Sequence, residues 1–225
     1  MALAKKIIGK CISKFFYLLP ASAPAFVYTK ILSVPPLDFI RDAIIKRLLP
    51  ESVMIDGARI FLNPKDAAIS GALTFGVYEP YEMALFKETI RPRMTIVDIG
   101  ANIGYYTVMA GIKTGPSGRV IAYEPESENF AFLKKNTSAN GLANTTAIKI
   151  AISDKAGEAK LYLTKNNKGT HSFANNRNNS ASETVLIDTL DRQLLALGID
   201  RVDVIKIDIE GFEPFAFDGM AKILS

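Results

Sequence analysis

The chain has 225 residues, a formal net charge of +4 at pH 7, one cysteine and one histidine. That length suits one ordinary domain, or one domain with a short appendage, and 48% apolar residues exclude a mainly disordered chain. Cys11 alone excludes a disulfide framework and a cysteine-based zinc cluster, and His171 alone excludes a multi-histidine metal site.

The first fifty residues carry the basic charge. Eight lysines and arginines stand there against Asp38 and Asp42, whereas the remaining residues are slightly acidic. A nucleic-acid-binding body would carry its positive charge on the folded domain, so no nucleic-acid partner is expected. No apolar run is long enough to span a bilayer, since Lys14 and Pro20 interrupt the best candidate. The opening lysines, Phe15-Phe16-Tyr17-Leu18-Leu19 and Ala21-Ser22-Ala23 imitate a secretory signal. The short apolar stretch and Pro24 after the would-be cleavage site argue against one. Together with the lack of paired cysteines, this leads us to expect a cytoplasmic protein.

Residues 4–19 read as an amphipathic helix. Lys6, Lys10 and Lys14 lie four apart on one face, and Ile8, Ile12 and Phe16 lie on nearly the opposite one. Such a helix either docks on its own domain or lies on an anionic membrane surface, a peripheral contact. After Pro35-Pro36, Asp38 can cap a second helix with Ile40, Ile44 and Leu48 on one stripe.

The stretch from Ser52 to Leu62 places two apolar runs around Asp56-Gly57, the signal of a two-residue hairpin. Residues 63–92 read as short helical pieces. From Thr95 the pattern alternates strands with helices. Thr95–Ile99, Arg119–Tyr123, residues 146–152 and residues 202–207 read as core strands, and residues 104–112 and 127–139 read as helices. Asp188 or Thr189 caps a helix that Gly198 ends. Alternation of this kind predicts an α/β fold with a doubly wound, mostly parallel sheet. Residues 164–183, rich in asparagine, read as a mobile loop at the end of a hairpin. The expected organisation is a basic helical extension (1–50), a hairpin and lead-in segment (51–92) and a core (93–225).

Two loops carry the chemistry. After the first core strand comes Asp98-Ile99-Gly100-Ala101-Asn102-Ile103-Gly104. Gly100 and Gly104 allow close backbone approach, and Asn102 tolerates positive φ. Glu124 ends the next strand, where a carboxylate can take both hydroxyls of a ribose. The pair fits S-adenosylmethionine or a dinucleotide. The dinucleotide fingerprint needs a small residue at its sixth position, and here Tyr105 stands there, so the looser loop suits S-adenosylmethionine better. The last core strand runs into Asp208-Ile209-Glu210-Gly211. In an extended segment the two carboxylates share a face, and as buried or semi-buried neighbours one would have a raised pKa. They are the candidate proton acceptor, or ligands for a divalent cation. His171 lies in the asparagine-rich loop, where a lone histidine reads as a surface residue. It is nevertheless the one side chain whose ordinary pKa suits base work near neutrality.

Val97-Asp98-Ile99-Gly100-Ala101-Asn102-Ile103-Gly104-Tyr105-Tyr106-Thr107, then Tyr123-Glu124-Pro125, then residues 187–191, then residues 205–213, resemble in order and spacing the FkbM family of S-adenosylmethionine-dependent methyltransferases. The resemblance runs from about residue 58 to the last residue, with Asn63-Pro64, Asp66, Tyr78-Glu79 and Glu82 matching the lead-in. It implies a class I, Rossmann-like methyltransferase fold and methylation of a hydroxyl on a glycan or a small natural product. It assigns Asp98, Gly100, Asn102 and Gly104 to the methionine part of the cofactor, Glu124 to the ribose, and Asp208 and Glu210 to the methyl group and acceptor. The class I sheet has seven strands and four strong ones are readable here. We therefore expect the last strands to be lacking, the fourth strand to be an exposed edge, and the chain to be a fragment or a truncated product. An NAD-type oxidoreductase and a non-catalytic cofactor-binding protein are the alternatives.

Overall fold

The computed structural model describes residues 49–66, 68–164, 171–173 and 179–225, with the backbone alone at 179 and 180. The expected helices at residues 4–19 and after Asp38 lie outside these residues. So do most of the asparagines of the 164–183 stretch. The described residues divide into two compact units, one ending at Ala84 and one beginning at Leu85.

In the first unit, β1 (Ser52–Ile55) and β2 (Ala58–Phe61) pair antiparallel, Ser52 opposite Phe61 and Ile55 opposite Ala58. Asp56 and Gly57 both have positive φ, 49° and 82°, the turn that matches strand twist. Val53, Ala58 and Ile60 are buried while their neighbours Met54 and Arg59 face out, the period of two expected for a half-covered hairpin. The buried Asp66 precedes helix α1 (Ile69–Phe75), and its Oδ1 accepts from the N–H groups of Ala68 at 3.0 Å and Ile69 at 3.3 Å. Helix α2 (Pro80–Thr89) starts on a proline, whose missing N–H costs nothing in a first turn.

The second unit holds β3 (Thr95–Ile99), α3 (Tyr105–Thr114), β4 (Arg119–Tyr123), α4 (Ser127–Ala139), β5 (Thr145–Ile148), β6 (Ala151–Ile152), β7 (Gly157–Thr164), β8 (Asn179–Asp188), α5 (Leu190–Ala196), β9 (Val204–Ile207) and α6 (Glu213–Asp218). The central sheet has the order β5-β4-β3-β9, and its paired strands all run parallel. The chain steps outward from β3 to β4 and β5, then returns to place β9 on the other side of β3. Strand order therefore reverses at β3, which puts a ligand crevice at the carboxyl ends of β3 and β9. Side chains alternate across the sheet. Val97, Ile99, Ile121 and Tyr123 enter one apolar cluster with Leu190, Leu194, Ala216 and Met220. Ala122 enters a cluster on the other side with Leu133 of α4.

Helix α4 covers the residues expected of it, and its N-cap is Glu126, whose carboxylate accepts from Asn129 N–H at 2.6 Å. Thr189 rather than Asp188 caps α5 through its side chain, and Gly198 lies just past the end with φ 64°.

Three expectations need correction. Residues 146–152 do not form one strand. The ladder leaves the central sheet after Ile148, and Ala151–Ile152 joins a second sheet of order β6-β8-β7. The hairpin strands are longer than the apolar runs indicate, because β7 and β8 pair from Gly157–Ile187 out to Thr164–Asn179. Part of the asparagine-rich stretch is therefore ladder, and Ser172 forms a bridge with Tyr162, so this stretch is not all loop. β9 occupies an edge of the central sheet and is half-buried at all four positions, as expected for an edge strand.

Candidate functional site

The loop after β3 is built from inside outward. Asp98 is fully buried at the end of the strand. Its Oδ2 accepts from the Thr107 hydroxyl at 2.6 Å, and its Oδ1 lies 3.3 Å from Lys206 Nζ. Lys206 stands opposite Asp98 in the β3–β9 ladder and also donates to the carbonyl of Gly100 at 3.1 Å. Asp98 is thus hydrogen-bonded through Oδ2, while the buried Oδ1 faces the Lys206 ammonium without a hydrogen bond.

Gly100 has φ 76°, and a Cβ there would lie 2.0 Å from the backbone oxygen of Asp208. The glycine is required because two strand ends touch through their main chains. Gly104 has φ 88°, and a Cβ would meet Leu133 Cδ1 at 2.7 Å, so it allows α4 to pack against the start of α3. Asn102 has φ 51° and spends its side-chain oxygen on the N–H of Ile103 at 2.7 Å.

The backbone donors of this loop are all used. Gly100 and Ala101 donate to the Tyr123 carbonyl, each at 3.0 Å, and Gly104 donates to the Ala101 carbonyl at 2.8 Å. Asn102 N–H donates to Glu124 Oε2 at 2.8 Å, and Ile103 donates to Asn102. A pyrophosphate cradle needs free N–H groups at this point of the fold. Residues 100–104 offer none, which adds a structural reason to the one that Tyr105 supplies.

Glu124 is buried at the end of β4, with Oε2 on Asn102 N–H and Oε1 on Glu126 N–H at 2.9 Å. Burial pushes its carboxyl up to about 7. The two backbone donors and Lys206 pull it down, and Glu126 adds to the rise. An ionised carboxylate has about four acceptor positions, so two remain for a pair of hydroxyls after both backbone bonds are made.

The loop after β9 is different. Asp208 N–H still donates to Ile99 O at 3.1 Å, extending the ladder by one bond, but the strand ends at Ile207. Glu210 adopts φ 53°. The segment is not extended, so the shared-face argument for Asp208 and Glu210 does not apply. Both residues are exposed rather than buried. They remain electrostatic neighbours: partial desolvation, then Asp208 and Glu213, raise the Glu210 carboxyl. Glu213 holds the loop, with Oε1 accepting from Ile209 N–H at 3.3 Å and Gly211 N–H at 3.2 Å. Desolvation would raise its carboxyl, but these bonds and its own N–H bring it below the usual range. Phe212 packs between Phe173 and Phe215, with ring centroids 4.4 Å away on each side.

His171 is half-buried, and its Nδ1 accepts from Thr164 N–H at 3.0 Å. Sequence reasoning missed Thr107, Glu126, Lys206 and Glu213, all structural partners of the two loops. The lysine signal was available: a charged residue inside an apolar strand, two residues before Asp208. Among the described residues no cluster of three or more His, Cys, Asp or Glu could hold a metal ion, and no helix is long and apolar enough to cross a membrane.

The chain is similar to known proteins as follows. Methyltransferase sdnD of Sordaria araneosa is 25% identical over 148 residues, which are 52% of this chain and 57% of that protein. The chain thus spans little more than half the length of this curated relative. Among solved structures, M. jannaschii TYW2 in complex with AdoMet is 23% identical with a TM-score of 0.35, covering 43% of this chain and 41% of that one. An S-adenosylmethionine-dependent methyltransferase from Aquifex aeolicus is 24% identical with a TM-score of 0.29, covering 33% and 39%. The model of the methyltransferase FkbM domain matches residues 98–225, which hold both loops and the whole central sheet except the first three residues of β3. The chain belongs to the FkbM methyltransferase domain family.

Proposed function

We propose that this chain binds S-adenosylmethionine at the carboxyl ends of β3 and β4 and transfers its methyl group to a hydroxyl of a glycan or a small natural product. The observation that carries the cofactor choice is the closed hydrogen-bonding of residues 100–104. A loop with no free N–H suits a ligand that brings no pyrophosphate, and the Glu124 carboxylate retains acceptor capacity for two ribose hydroxyls. Gly100, Asn102 and Gly104 shape the wall for the amino-acid part. Asp98 acts through Lys206 and Thr107 on the shape of that wall.

The bound cofactor supplies an electrophilic methyl group on a sulfonium. The chain contributes position and proton removal. The Asp208 main chain abuts Gly100 and Glu210 is an electrostatic neighbour of Asp208, and one of these two carboxylates takes the hydroxyl proton as the oxygen attacks in line. The raised carboxyl of Glu210 favours it as the proton acceptor.

Calorimetric titration with S-adenosylmethionine, S-adenosylhomocysteine and NAD tests the cofactor. We expect both adenosyl ligands to bind, NAD not to bind, and Glu124→Ala to weaken binding at least tenfold. NAD binding in preference, or binding indifferent to Glu124→Ala, would overturn the assignment. With an acceptor hydroxyl in hand, Asp208→Asn and Glu210→Gln should retain adenosyl binding within about twofold and lower turnover by about 10²-fold or more. Full turnover by the double variant would remove the acid pair from the mechanism.

A further inference from the structure

Lys206 is the charged group that joins the two loops. Its side chain is 16% exposed and its ammonium meets three partners: Asp98 Oδ1 at 3.3 Å, the Gly100 carbonyl at 3.1 Å and the Tyr106 ring, 5.1 Å to the centroid. The ammonium gives one N–H to the Gly100 carbonyl, while Asp98 Oδ1 and the Tyr106 ring attract its charge without a hydrogen bond. It has no acceptor capacity and cannot serve as a base while protonated. Its partners belong to β3, to the glycine loop and to α3, while its own strand leads directly into Asp208 and Glu210.

We propose that Lys206 is a positioning residue: it locks the cofactor loop to the strand that carries the acid pair, and its positive charge keeps the Glu124 carboxylate ready to accept ribose hydroxyls. The inference rests on the S-adenosylmethionine reading above. Two separate features support it. The first is the three-point anchoring across the switch point. The second is that Lys206 opposes the effect of burial on Glu124, as the smallest influence after the Glu126 and Asn102 N–H bonds. The titratable groups facing Glu124 are Glu126 and Lys206, and Asp98 faces Lys206 from the neighbouring strand. A lysine in a nearly dry site acts on such a neighbour with little solvent screening.

The test is S-adenosylhomocysteine binding by the full chain, measured by calorimetry from pH 5.5 to 8.5 for wild type, Lys206→Met and Lys206→Arg, with thermal melts alongside. Wild-type affinity should fall as pH drops through about 7, where Glu124 takes up a proton. Lys206→Met keeps the stem and removes the charge. We expect about tenfold weaker binding at pH 7 and a shift of the affinity midpoint to higher pH. Lys206→Arg should restore the midpoint while recovering only part of the affinity, because a planar fork cannot meet the same three partners. A purely structural lysine would give an even loss at every pH with the midpoint unmoved, and that result would overturn the proposal. So would Lys206→Met binding at wild-type strength throughout. A wild-type chain that binds no adenosyl ligand at any pH gives a third, separate result: it defeats the cofactor reading itself, and this inference with it.

Discussion

The two loops at the carboxyl end of the sheet lie side by side and are held in opposite ways. The loop after β3 rests on buried partners: Asp98, Thr107, Glu124, Leu133 and the Tyr123 carbonyl fix it from several directions. The loop after β9 exposes Asp208 and Glu210 and is held by Glu213, by the Phe212 N–H on the Ile209 carbonyl and by the packing of Phe212. The first is preorganised, so a ligand there need not supply the free energy of ordering it. The second tolerates change at its acidic positions without disturbing the core.

The largest expected effect is at Gly100. Alanine there would need φ 76° and would drive its Cβ against the main chain of Asp208, which cannot move without shifting β9. We expect Gly100→Ala to cost about 3 kcal/mol or more. Gly104→Ala meets the flexible end of Leu133 and should cost less, about 2 kcal/mol. Gly57→Ala, with the same kind of φ but open space around it, should cost about 1 kcal/mol. Urea unfolding of the three variants gives the ranking. Equal losses at Gly100 and Gly57 would show that φ alone matters and that the contact between strand ends does not.

Next is the pH dependence of Glu124. Folding raises its carboxyl from the ordinary 4.5 to about 7, so between those values the folded chain holds a proton that the unfolded chain has released. The contribution of this group is full below pH 4.5 and declines as pH rises toward 7. It amounts to about 3 kcal/mol across that window. Glu124→Gln removes the titration. The stability difference between wild type and variant should therefore fall between pH 5 and pH 8 by an amount of that order. A constant difference would mean that the carboxyl titrates normally and that the site is wetter than its burial implies.

The sequence made some of this legible and concealed the rest. Asp56-Gly57, the glycines at 100 and 104 and the helix at 127–139 are readable because turn chemistry and periodicity are local. Ser172, which bridges Tyr162, and the break after Ile148 are set by which strand lies alongside, and spacing does not carry that information. The expectation that Asp208 and Glu210 share a buried face fails because the extended backbone stops at Ile207, before either carboxylate, and Glu210 turns left-handed. The roles of Lys206 and Asp203 depend on partners more than a hundred residues away; Asp203 Oδ2, for instance, accepts from Thr95 N–H at 2.8 Å.

The smallest effect is the one that separates the two loops most cleanly. Glu213→Ala removes both side-chain bonds that shape residues 209–211 and leaves the buried loop untouched. Each bond is at least 3.2 Å long and lies near the surface, so together they contribute about 1 kcal/mol. Because folding lowers this carboxyl, its stabilisation is present above its ordinary pKa and is lost as pH falls through the folded value. The cost of Glu213→Ala should therefore shrink in acid, and Glu213→Gln, which keeps one acceptor oxygen, should recover part of it at neutral pH. S-Adenosylhomocysteine affinity should stay within about twofold of wild type in both variants, since residues 100–104 hold without the β9 loop. Turnover of a hydroxyl acceptor should fall more than binding does, because Asp208 and Glu210 would no longer be held in one arrangement. Loss of adenosyl binding in Glu213→Ala would show instead that the two loops form one cooperative site, joined through the contact between Gly100 and Asp208.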